Sequence, residues 1–287
     1  MTERVLPRSY LYVPGNAAEK LARAAQLGAD ALIVDLEDAV PLAEKDAALE
    51  AVCRWLSAQP IAEGPEIWVR INSGSRRRQE VRALAGVAAL RGLAVAKAES
   101  EVELAEIDAE LSAAGDHETL LMPLLESAAA VLAAPALAAS ARVCQLQIGE
   151  VDLAGDVGLE PGSDEAELAP LRAMAVLASA AAGIQPPPAP VSVITKDPDA
   201  FLTSTRQARR QGFVGRCCIH PAQVALVHEV FAPTEAEVAE AESVIALLAK
   251  AEAEGSGVVL DAAGRMIDAA VLRRARKILA LHAQAVG

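Results

Sequence analysis

A chain of 287 residues with a formal charge of −13 has no basic excess with which to release counterions from a phosphate backbone, so nucleic acid is excluded as a partner. Its composition, 53% hydrophobic but only 2% aromatic, predicts a core of Ala, Leu, Val and Ile large enough for one α/β barrel. No apolar signal segment follows Met1, and the uncharged stretch 174–195 carries Pro186, Pro187, Pro188 and Pro190, which a membrane helix would not hold in its middle; a cytoplasmic protein away from membranes is expected.

Short β-rich runs recur at residues 9–13, 30–36, 66–71, 92–96, 118–124, 142–149, 189–195 and 213–219, each followed by a helical pattern. Eight alternating units predict a closed parallel (β/α)8 TIM barrel, with a doubly wound open sheet as the second candidate. Asn16 and Pro198-Asp199 signal helix starts, and Gly28, Gly115, Gly183 and Gly212 fall where helices should stop. Beyond Pro221 the pattern changes to a helix from Thr234 to about 254, two short runs at 257–260 and 265–267 around a turn at 262–264, and a last helix over 268–282. The expected division is a barrel over 1–231, carrying the metal and substrate site, and a helical and hairpin extension over 232–287. Cys53, Cys144, Cys217 and Cys218 show no metal or redox spacing and read as buried structural thiols of a reducing compartment.

In such a barrel the catalytic side chains come from the carboxyl ends of the strands. Glu126 ends the run 120–126 and Asp152 ends 143–152. Neighbouring parallel strands lie roughly 4.8 Å apart, so two carboxylates there can share a hard cation with oxygen ligands at about 2.1 Å, which describes Mg2+. Asp35, Glu37 and Asp38 follow strand two, Arg70 and Asn72 strand three, Lys97 and Glu99 strand four, Glu150 strand six, Asp197 strand seven and His220 strand eight. Each alone reads as a helix cap or solvated charge. Together they imply a bound cation or raised pKa values. Arg70 should project into the mouth, where a guanidinium grips a substrate carboxylate through two hydrogen bonds; an ion pair with Asp35 or Glu37 is the competing reading. Arg76, Arg77 and Arg78 sit at a helix start, where the dipole disfavours cations, and are candidates for binding phosphates.

The segments Arg8-Ser-Tyr-Leu-Tyr-Val-Pro-Gly-Asn16, Gly28 to Val40, Val69-Arg-Ile-Asn72, Leu125-Glu-Ser127, Gly149-Glu-Val-Asp-Leu153, Ile219 to Val224 and Gly264-Arg-Met-Ile-Asp268 resemble, in order, the citrate lyase β-subunit-like proteins of the HpcH/HpaI aldolase superfamily. The resemblance implies a Mg2+-dependent carbon–carbon lyase acting on a malyl-, citramalyl- or citryl-CoA type thioester, in a (β/α)8 barrel that forms trimers or hexamers. It implies that Glu126 and Asp152 hold the metal and contact substrate, and that Arg70 binds the carboxylate of the substrate. Asn16 and Lys20 match a segment near the CoA. Leu36-Glu37-Asp38, in place of a Glu-His arrangement, favours the acyl-CoA branch. The chain departs from the family pattern at Val95-Ala-Lys97, where Pro-Lys is usual, and at Pro186-Pro187-Pro188, where relatives often carry Asp; both changes fall on the acyl pocket.

Retro-aldol cleavage needs stabilisation of the new 2-oxo acid and of a thioester enolate. Asp35, Glu37 and Asp38 are expected to orient metal-bound water, with Glu37 also near the substrate, and Asp268 is the candidate acid/base for the enolate carbon, unless it only caps the last helix. Relatives place the residue corresponding to Asp268 over a neighbouring subunit's site. Alternatives are a citryl-thioester lyase subunit, a malate-synthase or thioesterase-like activity, and a catalytically silent subunit that organises a lyase complex.

Overall fold

The computed structural model describes residues 6–60, 64–253, 259–260 and 266–286; the expected turn at 262–264 and the Gly264-Arg265 pair of the last matching motif lie outside them. Pro7–His228 forms one compact unit, and the chain from Glu229 onward belongs to a second.

In the first unit, strands and helices alternate: β1 (Ser9–Pro14), α1 (Ala18–Ala24), β2 (Ala31–Asp35), α2 (Lys45–Ser57), β3 (Glu66–Ile71), α3 (Ser75–Leu84), β4 (Leu90–Val95), α4 (Glu101–Ala113), β5 (Leu120–Leu125), α5 (Ala128–Ala138), β6 (Gln147–Ile148), α6 (Glu150–Val157), α7 (Ala169–Ala182), α8 (Pro198–Arg210), β7 (Arg216–Cys218) and α9 (Pro221–Phe231). The seven strands form one sheet in the order β6-β5-β4-β3-β2-β1-β7, all parallel. Crossover helices make that arrangement possible, since parallel neighbours cannot be joined by a tight turn.

Alternation of side chains along each strand decides what lies inside. Tyr10, Ala31, Ile33, Trp68, Ala94, Met122, Leu124 and Cys217, from six strands, pack into one buried cluster, so the sheet curls around them. Each such large side chain contributes roughly 1.5–3 kcal/mol by leaving water. Trp68 stands opposite Gly92 in the register, where a Cβ would lie 2.4 Å from the indole ring; the missing side chain makes room for the largest one. The intervening residues, such as Leu32, Val34, Val69 and Leu93, are equally buried, as expected for a parallel sheet covered on both faces.

The structure corrects the expected eight strands in two places. The seventh, 189–195, is not a strand: Gln185 and Ala189 make isolated bridges to Gln145 and Arg216, and residues 190–195 are irregular. Prolines 186, 187, 188 and 190 have no N–H to give to a ladder. The sixth shrinks to Gln147–Ile148, with Val143 and Gln145 only bridged, after Arg142 at φ 62. Two of the four cysteines also depart from expectation. Cys217 and Cys218 are buried, but Cys53 and Cys144 are half-buried.

The second unit contains α10 (Glu235–Ala253), an antiparallel pair β8 (Val259–Leu260) and β9 (Met266–Ile267), and α11 (Ala269–Val286). Its own core joins Ala241, Val244 and Leu248 of α10 to Ile267 and Ala275. Among the described residues no helix is long and apolar enough to cross a membrane.

Candidate active site

The alternation that fills the core also sets the site. Asp35 lies two residues beyond Ile33, Arg70 two beyond Trp68 and Glu126 two beyond Leu124, so all three continue the inward face at the carboxyl ends of β2, β3 and β5.

Arg70 is 9% exposed and fully engaged. Its Nε and Nη2 donate to Asp35 Oδ1 and Oδ2 at 2.7 and 2.6 Å, its Nη1 lies 3.1 Å from both Glu37 Oε2 and Asp38 Oδ2, and its guanidinium stands 5.2 Å from the Tyr12 ring centre. Burial opposes the charge, but Asp35, Tyr12 and Glu37 outweigh it and raise the pKa. Two expectations change. The side-on fork of Arg70 is closed by Asp35, so a ligand would have to share Nη1 with Glu37 and Asp38. Asp35 is not left to orient water, because it also accepts from the backbone N–H groups of Glu37 and Ala39 at 2.8 and 3.0 Å.

Glu126 directly follows β5, but Asp152, expected at a strand end, lies in the first turn of α6, four residues beyond β6; the two strands are neighbours, with Leu125 paired to Ile148 and Gly149 N–H donating to Leu125 O at 3.1 Å. Gly149 is small for a reason. A Cβ there would meet Glu126 Cγ at 2.5 Å and Oε1 at 2.8 Å. Glu126 is 6% exposed; burial pushes its pKa up to about 7, Arg70 and the Lys97 N–H pull against this, and the Glu37 and Asp152 carboxylates add to it. Asp152 is exposed in the first turn of α6. A carboxyl whose pKa is raised chiefly by burial, and further by neighbouring carboxylates, is a group that a divalent cation would stabilise in its charged form. Among the described residues no group of three or more His, Cys, Asp or Glu side chains is placed to hold a metal. A cation on the Glu126/Asp152 pair would therefore complete its shell from water or substrate, the habit of Mg2+ and not of zinc.

Two cavities meet at this pair. One, of about 430 Å³, is lined by Tyr12, Arg70, Leu124, Gln147, Val191 and Ile219 together with Asp35, Asp38, Glu126 and Asp152. The other, more open and about 630 Å³, shares Asp38, Glu126 and Asp152 and adds Ser73, Lys97 and Ser127. Lys97 has a left-handed backbone, φ 52, which aims its N–H at Glu126 Oε2 (3.0 Å) while Nζ reaches Glu37 Oε1 (2.8 Å). Burial and the neighbouring Asp38 raise the Glu37 pKa against Lys97 and Arg70. Partial desolvation pushes the exposed Asp38 up, yet Glu37, Arg70 and Lys97 bring it below its ordinary value.

The expected phosphate ligands are engaged elsewhere. Arg76 pairs with Asp46 at 2.7 Å, Arg77 with Glu103 at 3.0 Å and Arg78 with Glu110 at 2.5 Å, ion pairs that tie α3 to α2 and α4. Asn16 donates to Glu44 at 2.6 Å, and Lys20 is exposed on α1. Several of the expected site residues are helix caps: Asp197 accepts from Ala200 N, His220 from Ala222 N, and Asp268, in the second unit, from Val271 N.

Sequence reasoning missed the groups that hold the site in place. Arg172, 1% exposed, clamps Glu150 at 2.5 and 2.8 Å and reaches Glu165 at 2.8 Å, which anchors the start of α6 just before Asp152. A lone Arg in the apolar run of α7 was the available signal. Glu80 accepts from Asn72 N and Nδ2 at 2.7 and 2.6 Å, and Lys45 Nζ donates to Asn72 Oδ1 and to the carbonyls of Leu36 and Glu37, so the loops after β2 and β3 are tied together.

The fold and site define a parallel α/β protein with a carboxylate and guanidinium cluster at the carboxyl ends of its strands. The chain belongs to the HpcH/HpaI aldolase/citrate lyase family, whose profile matches residues 8–221. It is 32% identical to a citrate lyase subunit beta-like protein of Deinococcus radiodurans, over 97% of this chain and 98% of the relative. It is also 32% identical to a (3S)-malyl-CoA thioesterase of Cereibacter sphaeroides, over 95% and 93% respectively. Among solved structures it resembles CitE from Mycobacterium tuberculosis in complex with magnesium, acetoacetate and coenzyme A, with a TM-score of 0.80 and 27% identity over 98% of this chain and 100% of that one.

Proposed function

We propose that the protein is a Mg2+-dependent lyase that cleaves a 3-hydroxyacyl-CoA of the citramalyl- or malyl-CoA type to acetyl-CoA and a 2-oxo acid. The observation that carries this reading is the Glu126/Asp152 pair at the junction of the two cavities, which gives the two halves of a dividing substrate separate rooms on either side of one cation site. The magnesium in the Mycobacterium tuberculosis complexes supports the choice of metal.

Glu126 and Asp152 would hold Mg2+, which supplies Lewis-acid stabilisation to the oxygens of the acid fragment. Arg70 orients that fragment in the inner cavity through its Nη1 side, with its plane fixed by Asp35 and Tyr12. Glu37 and Asp38 stand beside it as acceptors for water. Asp268, contributed by a neighbouring subunit, would deliver the proton to the enolate carbon, and Asn16 and Lys20 would face the CoA. Closure of the sheet into a (β/α)8 barrel is supported by the bridges at Gln185 and Ala189. With it we propose the division into a barrel over 1–231 and an extension over 232–287, a homotrimeric or hexameric assembly, and a cytoplasmic location. A second reading, hydrolysis of the thioester after carbon–carbon bond chemistry, is favoured by the malyl-CoA thioesterase relatives.

The test is a panel of malyl-, citramalyl- and citryl-CoA with Mg2+, read by release of the 2-oxo acid and of free CoA thiol. Oxo acid without thiol supports the lyase, thiol alone supports hydrolysis, and neither with any substrate overturns both.

A further inference from the structure

Lys97 is the one residue at the site whose backbone departs from what its side chain prefers. A left-handed lysine costs of order 1 kcal/mol or more relative to the α or β regions, and at φ 52 it persists at the end of a well-formed strand. The conformation turns the chain so that the Lys97 N–H meets Glu126 while its side chain, 47% exposed, lies over Glu37 and enters the more open cavity. Among the described residues that line this cavity, Lys97 alone is cationic; Asp38, Glu99, Glu126, Asp152 and Asp156 are acidic. Arg70, the other cation paired with the Glu37 carboxylate, lines the inner cavity and not this one.

We infer that Lys97 is a catalytic residue, its ammonium donating a hydrogen bond to the thioester carbonyl oxygen of the acyl-CoA. This rests on the lyase reading. In cleavage, a base takes the C3 hydroxyl proton, the C3 carbonyl forms as the C2–C3 bond breaks, and the electron pair of that bond moves into the thioester carbonyl, so negative charge develops on that oxygen until C2 takes up a proton. In the reverse sense a base takes a proton from the acetyl methyl group and the same oxygen receives the charge. The acid fragment occupies the inner cavity beside Arg70, so the thioester approaches from the open cavity. There Lys97 is the one cationic donor among the described lining side chains, the others that can donate being neutral serine hydroxyls. Its proton stays on the nitrogen throughout. The pairing with Glu37 keeps it charged: the Glu37 hydrogen bond raises its pKa despite partial burial. A preorganised donor to a developing oxyanion is worth roughly 10²–10³-fold in rate.

The experiment is exchange of the acetyl-CoA methyl protons with D2O, followed by NMR in the full-length protein with Mg2+ and with no 2-oxo acid present. Lys97→Met should exchange about 100-fold or more slowly than native protein, Lys97→Arg should recover part of the rate, and both should bind Mn2+ with native affinity. Exchange at the native rate in Lys97→Met overturns the inference and leaves Lys97 as the ion-pair partner of Glu37. Loss of Mn2+ binding together with exchange also overturns it, since the Lys97 side chain would then act only by holding Glu37 and, through it, the carboxylate cluster around the metal site. No exchange by the native protein overturns the lyase reading and this inference with it, so the two failures are distinguishable.

Discussion

Arg70 has two jobs that mutation can separate. It neutralises Asp35, whose four hydrogen bonds are all within the protein, and it faces the inner cavity. Arg70→Met leaves the Asp35 charge buried and unmatched, which should cost about 3–5 kcal/mol and appear as a large fall in the thermal melting midpoint. Arg70→Lys keeps the charge but loses the fork and the flat stack on Tyr12, so most of the turnover should disappear while more of the stability survives. A lysine variant with native turnover on every substrate would make Arg70 a structural ion pair and nothing more. The inward direction of Arg70, Asp35 and Glu126 is legible in the sequence, because period-two alternation carries it from Trp68, Ile33 and Leu124. Partner choice is not. Nothing local says that Asp35 takes the fork of Arg70, or that Arg76, Arg77 and Arg78 meet carboxylates on α2 and α4, since those partners lie on other crossover helices.

Elements position these groups, and Gly149 is where the backbone comes up against Glu126. Its φ of −99° suits any residue, so Gly149→Ala introduces no backbone strain, only a methyl group against Glu126. The prediction is a 10–100-fold loss of Mn2+ affinity with little change in the melting midpoint, measured by titration calorimetry and thermal unfolding; unchanged affinity would show that Glu126 can move without consequence. At the other end of the strands, burial pushes Asp116 up, but Thr119 Oγ1 and the N–H groups of Gly86, Thr119 and Glu118 outweigh it and hold the carboxyl at about 2. Because the folded value lies below the unfolded one, the stability it confers is present above pH of about 4 and lost as the pH falls toward 2, and amounts to about 1–2 kcal/mol. Asp116→Asn should flatten the acid limb of the stability curve by that amount in urea melts, and an identical limb would contradict the assignment. Strands β1 to β5 are legible as Val, Ile and Leu runs ending in polar residues. The seventh expected strand fails because its apolar pattern says nothing of prolines that cannot donate to a ladder.

At the scale of the whole molecule, Asp268 is read in two ways. It caps α11, and the family resemblance assigns its counterpart to a neighbouring subunit's site. If catalysis is shared between subunits, Asp268→Asn and Glu126→Gln should each be nearly inactive alone, yet recover part of the activity when co-expressed in mixed oligomers, because some interfaces then join an intact barrel to an intact tail. Mixed oligomers as inactive as either parent would return Asp268 to a cap. The sequence can suggest such an assembly only through resemblance, because a surface that meets another copy carries no period of its own.

If the Glu126/Asp152 pair makes this chain a metal-dependent lyase, chelator-treated protein should release negligible 2-oxo acid from its best acyl-CoA substrate and recover fully when Mg2+ is restored, and Glu126→Gln should lose several orders of magnitude at any Mg2+ concentration. Full release by thoroughly metal-free protein, or native release by Glu126→Gln, would show that the pair holds no essential metal.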